Sequence, residues 1–263
     1  MAANHSAKGS FYSLLFYADS IPEDTFHIYP IQDLEIPKIQ SGDTIIRHTG
    51  FTLLYNEKHE QASWVAYELT KEETNSMYRR TNKFRTDPKV KTGTARDSDY
   101  KASGYDRGHL APAADMGCSQ ITMAESFYFS NISPQVPEFN RGIWKQVEEK
   151  VRDWAIHNDG VYIVTGPVLR DSLPTISTIH LSVPEYYYKV ILDYRKPDIK
   201  GIGFIIPNKG SALPMMNYAV SIDSVEKITG IDFFPLLPDI QEKWIEEKVC
   251  ISCWGISIHA DHH

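Results

Sequence analysis

The chain has 263 residues and a net charge of −7, with 42% hydrophobic and 23% charged residues. That composition supports a buried core and excludes a disordered chain, and no apolar run approaches the roughly 20 residues a membrane-spanning helix needs. The acidic balance argues against a protein that coats nucleic acid passively, but not against an enzyme that must release its product.

Residues 1–48, with Pro22, Pro30 and Pro37, read as an irregular N-terminal extension. The apolar run from Phe11 to Tyr17 is too short for a signal-peptide core and lacks basic residues immediately before it. Residues 49–263 read as one domain. Strands are expected at 51–55 and 64–69, joined by a polar turn from Asn56 to Gln61. Residues 72–101 read as a long loop, and loops of that length are usually functional. Between Arg79 and Lys101 this loop has eight basic and three acidic residues, a local excess of five positive charges.

A short helix at 121–126 and a strand at 127–132 follow. Asn140 then opens a helix in which Ile143, Trp144, Val147, Val151, Trp154 and Ala155 recur at three- and four-residue spacing. The segment from His157 to Gly160 ends it. Further strands are expected at 161–165, 186–192, 203–206 and 217–222. Asp223 is expected to cap a helix at 224–229, with Glu226 as its box partner and Gly230 as the stop. A last helix is expected at 241–249. Strands and helices without a β-α-β rhythm indicate an α+β fold on a mixed, largely antiparallel sheet with flanking helices.

Cys118, Cys250 and Cys253 make no disulfide framework. Cys250 and Cys253 form a C-x-x-C pair followed by His259, His262 and His263, but the gap is short for a zinc finger, and the histidines also suit a tail. Whether the two cysteines are bonded, free or metal-binding stays open.

The segment Asp106-Arg-Gly-His109 brings an acid, a guanidinium and an imidazole within four positions. Phosphodiester cleavage needs a base for water, a cation near the leaving oxygen, and donors that hold the phosphate. Histidine titrates near neutral pH, arginine presents a planar fork that matches a phosphate, and glycine permits close backbone approach. Singly, His109 reads as an ordinary hydrogen-bonded histidine, Asn140 as a helix cap and Glu148 as a solvated helix residue. Only their joint spacing raises them above those readings.

The run from Tyr105 to Asp115 resembles the signature of the DNA/RNA non-specific endonucleases. So do Phe129-Ser-Asn-Ile-Ser-Pro-Gln135, Phe139-Asn-Arg-Gly-Ile-Trp144, Tyr162-Ile-Val-Thr-Gly-Pro167 and, more loosely, Val183 to Lys189. The resemblance spans about Phe51 to Phe234 and implies a ββα-metal active-site unit. His109 then matches the general base, and Asn140, thirty-one residues on, the direct metal ligand. Glu148 matches a carboxylate supporting the metal's water shell. Asn131 matches a second active-site asparagine that shapes the site. Asn140 and Glu148 would sit about 80° apart around a regular helix, so both can face one site. Arg107 is expected to hold the phosphate and Asp106 to orient its neighbours. Arg79, Arg80 and Arg85 are equal candidates for an upstream arginine that grips substrate.

A neutral asparagine beside a glutamate suits Mg2+, with Mn2+ as a substitute. The implied reaction has His109 activate water for in-line attack while the ion stabilises the transition state and the leaving 3′ oxygen. DNA and RNA would both be cut, with little sequence preference, leaving 5′-phosphate ends. A catalytically silent binding module, a toxin nuclease and a small-phosphodiester hydrolase are the competing readings. An unspecific nuclease endangers a genome, so export to the bacterial periplasm or beyond is expected, the leader being absent from this chain, with a mitochondrial setting as the alternative. Several relatives are dimers, so a homodimer is among the expected partners. An inhibitor protein is a further partner that the reading allows but that nothing in the sequence indicates.

Overall fold

The computed structural model describes residues 28–255, apart from Asp198. The run from Phe11 to Tyr17 and the terminal histidines lie outside the described residues. In chain order the elements begin with β1 (Ile45–Arg47), β2 (Thr52–Asn56), β3 (Gln61–Thr70), the one-turn helix α1 (Asp97–Tyr100), β4 (Asp106–His109), α2 (Gln120–Glu125) and β5 (Ile132–Gln135). Next come α3 (Lys145–His157), β6 (Gly160–Pro167), a small hairpin of β7 (Thr175–Ile176) and β8 (Leu181–Ser182), β9 (Tyr186–Asp193) and β10 (Lys200–Pro207). The chain continues through β11 (Ala219–Val220), α4 (Ile222–Thr229) and α5 (Asp239–Glu247).

The α+β class expected from the sequence is the one observed. Seven strands form the main sheet in the order β1-β2-β3-β6-β9-β10-β11. Every pairing in it is antiparallel, so the sheet is not mixed. Both faces are covered, which explains why β9 reads as an almost unbroken apolar run. Successive side chains point to opposite faces. Tyr187 and Ile191 therefore pack with Val147, Val151 and Trp154 of α3. Tyr188, Val190 and Leu192 pack with Ile222, Val225 and Ile245 of α4 and α5. Each large apolar side chain buried this way contributes about 1.5–3 kcal/mol.

Several expectations need correction. The segment read as an irregular extension supplies β1, and Leu34 and Ile36 are buried against the second face. The strand expected at 127–132 is a 3-10 turn over Phe129–Asn131 that leads into β5, with the Ser130 hydroxyl donating to Asp87 and the Asn131 amide bonded to Ser126 and Ala111. The strand expected at 217–222 shrinks to β11 behind a 3-10 turn over Met215–Tyr218. Ser221, not Asp223, caps α4: its Oγ accepts from the Ser224 N–H. Glu226 closes no box and instead accepts from the Phe233 N–H at 2.8 Å. Cys250 and Cys253 are disulfide-bonded, which leaves neither thiolate for a metal, and Cys118 is free. Beside that disulfide, Trp254 packs on Trp154 of α3 with ring centroids 4.5 Å apart.

Candidate active site

β4 and β5 form a separate antiparallel pair in which Asp106 faces Gln135, Gly108 faces Ser133 and His109 faces Ile132. The helical segment after β5 opens with a π-helical turn over Phe139–Trp144 and continues as α3. Gly142 leaves helical geometry inside that turn (φ −105°, ψ −111°), so the angle expected for a regular helix does not describe the path from Asn140 to Glu148. Both residues nevertheless line one cleft of about 410 Å³. π-turns of this kind occur often at functional sites.

Gly108 is required by packing. A Cβ there would lie 2.1 Å from the Gln135 side chain. Gly108→Ala is therefore expected to cost about 1–3 kcal/mol of stability by urea unfolding, with activity falling too as β4 shifts away from β5.

His109 lies at the base of the cleft and is 6% exposed. Its ring meets Phe127 edge-on at 4.9 Å and Phe84 at 5.6 Å. Its Nε2 has no hydrogen-bond partner among the described residues. Burial first, then the charges of Arg80 and Arg107, push its pKa down to about 3, so the imidazole is neutral at pH 7 and able to accept a proton. The unfolded chain then binds one more proton than the folded one between the ordinary 6.5 and about 3. The stability linked to this group is complete above pH 6.5 and is lost as pH falls through that window. The slope is at most about 1.4 kcal/mol per pH unit. Urea unfolding between pH 7 and 5 should show a shallower acid dependence in His109→Ala than in the parent chain.

Asp106 organises the opposite wall. It accepts from Asn140 Nδ2 at 2.9 Å and from Arg141 Nε and Nη2 at 2.8 and 2.6 Å. Burial alone would raise its pKa, but the hydrogen bonds from Arg141 and Asn140 outweigh it and hold the carboxyl below its usual range. A carboxylate only accepts, so the Asn140 NH2 must face Asp106. Its carbonyl Oδ1 is left without a hydrogen-bond partner among the described residues. Asn140 is thus no helix cap.

Glu148 sits two turns along. Burial pushes its pKa up, and the Lys189 charge opposes that; Lys189 on β9 is itself pushed down by burial and supported by Glu148. Lys189 is fully enclosed, with Nζ 4.8 Å from the Trp144 ring centroid. Arg152 donates to the buried Asp115 at 2.7 Å, and Tyr67 donates to the other oxygen of the same carboxylate at 2.7 Å. Arg141, Arg152 and Lys189 were absent from the candidates drawn from sequence. Arg152 could have been found, because it lies four residues after Glu148 on one helix face. Lys189 could also have been found, as a charge in phase with the apolar residues Tyr187 and Ile191.

The arginine candidates separate clearly. Arg80 lines the cleft beside His109, 5.2 Å from the Phe127 ring centroid. Arg79 lines a neighbouring depression with Met77 and Tyr78. Arg85 stacks on Tyr128 at 4.5 Å, with its backbone tied to Phe127 and Phe129. Arg107 pairs with Asp97 and lies over Phe84 at 4.2 Å. Asn131 does not face the cleft. Its amide is spent on Ala111 N–H, Ala111 C=O and Ser126 C=O, each at 2.9 Å, so it is a positioning residue for the loop after His109.

Five cationic side chains (Arg80, Arg107, Arg141, Lys145 and Arg152) line the His109 cleft against the single carboxylate of Glu148. Four of the five also pair with acids outside the lining, Arg107 with Asp97, Arg141 with Asp106, Lys145 with Glu149 and Arg152 with Asp115, which leaves Arg80 as the one without an ion-pair partner among the described residues. A second opening of about 720 Å³ continues past Asp106, Asn140 and Phe84 along the long loop. That loop is ordered, with Asp87, Val90, Ala95 and Tyr100 buried.

Two strands and a helix around a buried neutral histidine, in a cleft rimmed by arginines, define a ββα unit suited to phosphate chemistry. The chain belongs to the DNA/RNA non-specific endonuclease family, whose model matches residues 34–240. It is 35% identical over 215 residues to mitochondrial nuclease EXOG of Danio rerio, covering 75% of this chain and 63% of that protein. Nuclease C1 of Cunninghamella echinulata var. echinulata is 34% identical, over 76% of this chain and 88% of its own. Human mitochondrial endonuclease G is 33% identical, over 71% and 68%. The crystal structure of an EndoG/EndoGI complex, which concerns EndoG inhibition, contains a chain that superposes with a TM-score of 0.70 at 30% identity, over 75% of this chain and 88% of that one. This chain spans 63% and 58% of the length of the zebrafish and mouse EXOG proteins.

Proposed function

We propose that the chain is a metal-dependent endonuclease that hydrolyses phosphodiester bonds in DNA and RNA with little sequence preference, leaving 5′-phosphate ends. The observation that carries this is a neutral, buried His109 beneath five cations, beside an asparagine whose carbonyl oxygen is left without a partner.

The donors fit Mg2+, with Mn2+ as a substitute. Asn140 Oδ1 is a hard neutral oxygen oriented by Asp106, and Glu148 adds a carboxylate for the ion's water shell. Bound there, such an ion would supply Lewis-acid stabilisation of the negative charge on the phosphate and the leaving 3′ oxygen. The protein groups do the rest. Arg80 and Arg107 hold the phosphate, Arg107 exchanging its Asp97 partner for a phosphate oxygen. A phosphate seated between those arginines offsets the charges that depress His109, raising its basicity toward that of a working general base. His109 takes a proton from the attacking water. Asp106 fixes Asn140 and Arg141, and Asn131 fixes the loop behind the histidine. No step uses a ribose 2′-hydroxyl.

DNA and RNA are the substrates on this reading, and a homodimer remains part of the proposal. Because the structural relative is described with EndoGI in a study of inhibition, an inhibitor protein joins the partners to be sought. The vertebrate relatives are named as mitochondrial, which favours the mitochondrial alternative; nothing in the comparisons favours export.

Digestion of a circular plasmid, a structured RNA and a small aryl phosphodiester with Mg2+ and with EDTA tests the reading. Both polymers should be cut internally, and EDTA should abolish it. Cleavage of the small diester alone would contradict it.

A further inference from the structure

On the face of the sheet opposite α3, α4 and α5 bring three carboxylates together. One oxygen from each of Asp223, Glu226 and Glu246 lies within 4.8 Å of the other two, and among the described residues this is where three such groups converge. Acidic residues cluster on many surfaces without consequence, but Glu246 is different. It is 5% exposed, and its Oε1 is buried without a hydrogen-bond partner among the described residues. A buried carboxyl oxygen left unpaired is costly.

The surroundings make it worse. Glu246 lies in the last turn of α5, the negative end of the helix dipole, and that turn has no basic residue. Burial first, then Glu226, Glu242, Asp223 and Asp232, push its pKa up to about 9. Lys38 approaches this group of acids but pairs with Asp232 at 2.8 Å. Glu226 is held in place by the Phe233 N–H, which uses one of its two oxygens. A cation between the three carboxylates would satisfy every one of these features.

The donor set and its setting favour calcium: it takes about six to eight hard oxygens in flexible geometry, whereas magnesium demands a near-ideal octahedron and gives up its water reluctantly. The exposed Asp223 leaves a route from solvent, and water can complete the shell. We propose that Asp223, Glu226 and Glu246 form a calcium site that clamps α4 to α5, separate from the catalytic cleft.

The test uses the full chain bearing Asn140→Ala, which removes the proposed catalytic ligand. Calorimetric titration should find one Ca2+ per chain, and a Ca2+ excess of about a hundredfold over Kd should raise Tm by about 5 °C. Adding Glu246→Gln should abolish both signals, as should Asp223→Asn, an exposed substitution that leaves the fold intact if the buried one does not. Mg2+ at the same concentration should give a smaller shift. Absence of binding, binding that survives both substitutions, or an equal response to Mg2+ would overturn the assignment.

Discussion

His109→Ala is expected to lower the cleavage rate of both DNA and RNA by about 10²–10⁴-fold while leaving the fold intact. The side chain is enclosed by Phe84 and Phe127, yet its Nε2 makes no compensating hydrogen bond among the described residues. Removing it therefore costs packing but relieves an unpaired polar atom, so stability near pH 7 should change little. The measurement pairs a cleavage rate with thermal unfolding of the same preparation. A variant that is well folded and cuts at the parent rate would remove the histidine from the mechanism. A variant that unfolds would be replaced by His109→Gln, which keeps the volume and a hydrogen-bonding side chain but titrates nowhere near neutral pH.

Asn140→Ala should have an effect of similar size for a different reason. It deletes the free Oδ1 and also the donor that Asp106 accepts at 2.9 Å. Loss of a directly bound metal's stabilisation is worth several kcal/mol, so a fall of about 10³-fold is expected, one that added Mg2+ does not restore. Asp106→Asn separates the two contributions. It keeps Asn140 but weakens the anchoring of Asn140 and Arg141, so its loss should be smaller and partly recovered at high Mg2+. Equal, unrecoverable losses in both variants would mean that Asp106 touches the reaction rather than orienting its neighbours.

Much of this was legible in the sequence where the signal is local. The 3.6-residue recurrence from Ile143 to Ala155 located α3, and the spacing of His109, Asn140 and Glu148 located one cleft. The misreadings share a cause. Leu34 and Ile36 lie in a segment with no periodicity, and only the distant α4–α5 layer makes them core. Phe127, Phe129 and Ile132 have strand-like chemistry, but the Asn131 side chain bonds the backbone of Ser126 and Ala111 and the Ser130 hydroxyl donates to the distant Asp87 carboxylate, which together hold the chain in a turn. Asn131 was expected to shape the site, and what its amide meets, Ala111 and Ser126 of the loop around His109, has no signal along the chain. The choice among Arg79, Arg80 and Arg85 depended on how a thirty-residue loop folds back through Phe84 and Arg85 onto Phe127, and no pattern along the chain encodes that. Arg141 stood beside Asn140 in plain view, but its fork on Asp106 joins residues thirty-five positions apart.

The most direct test of the account is cleavage of two oligonucleotides of one sequence, one DNA and one RNA, by the purified chain with Mg2+. Attack by a water that His109 activates predicts that both are cut, at rates within about tenfold of each other, a barrier difference of about 1.4 kcal/mol. Both should yield 5′-phosphate ends. Cleavage of the RNA alone, with a 2′,3′-cyclic phosphate product, would show the ribose hydroxyl to be the nucleophile and contradict the mechanism.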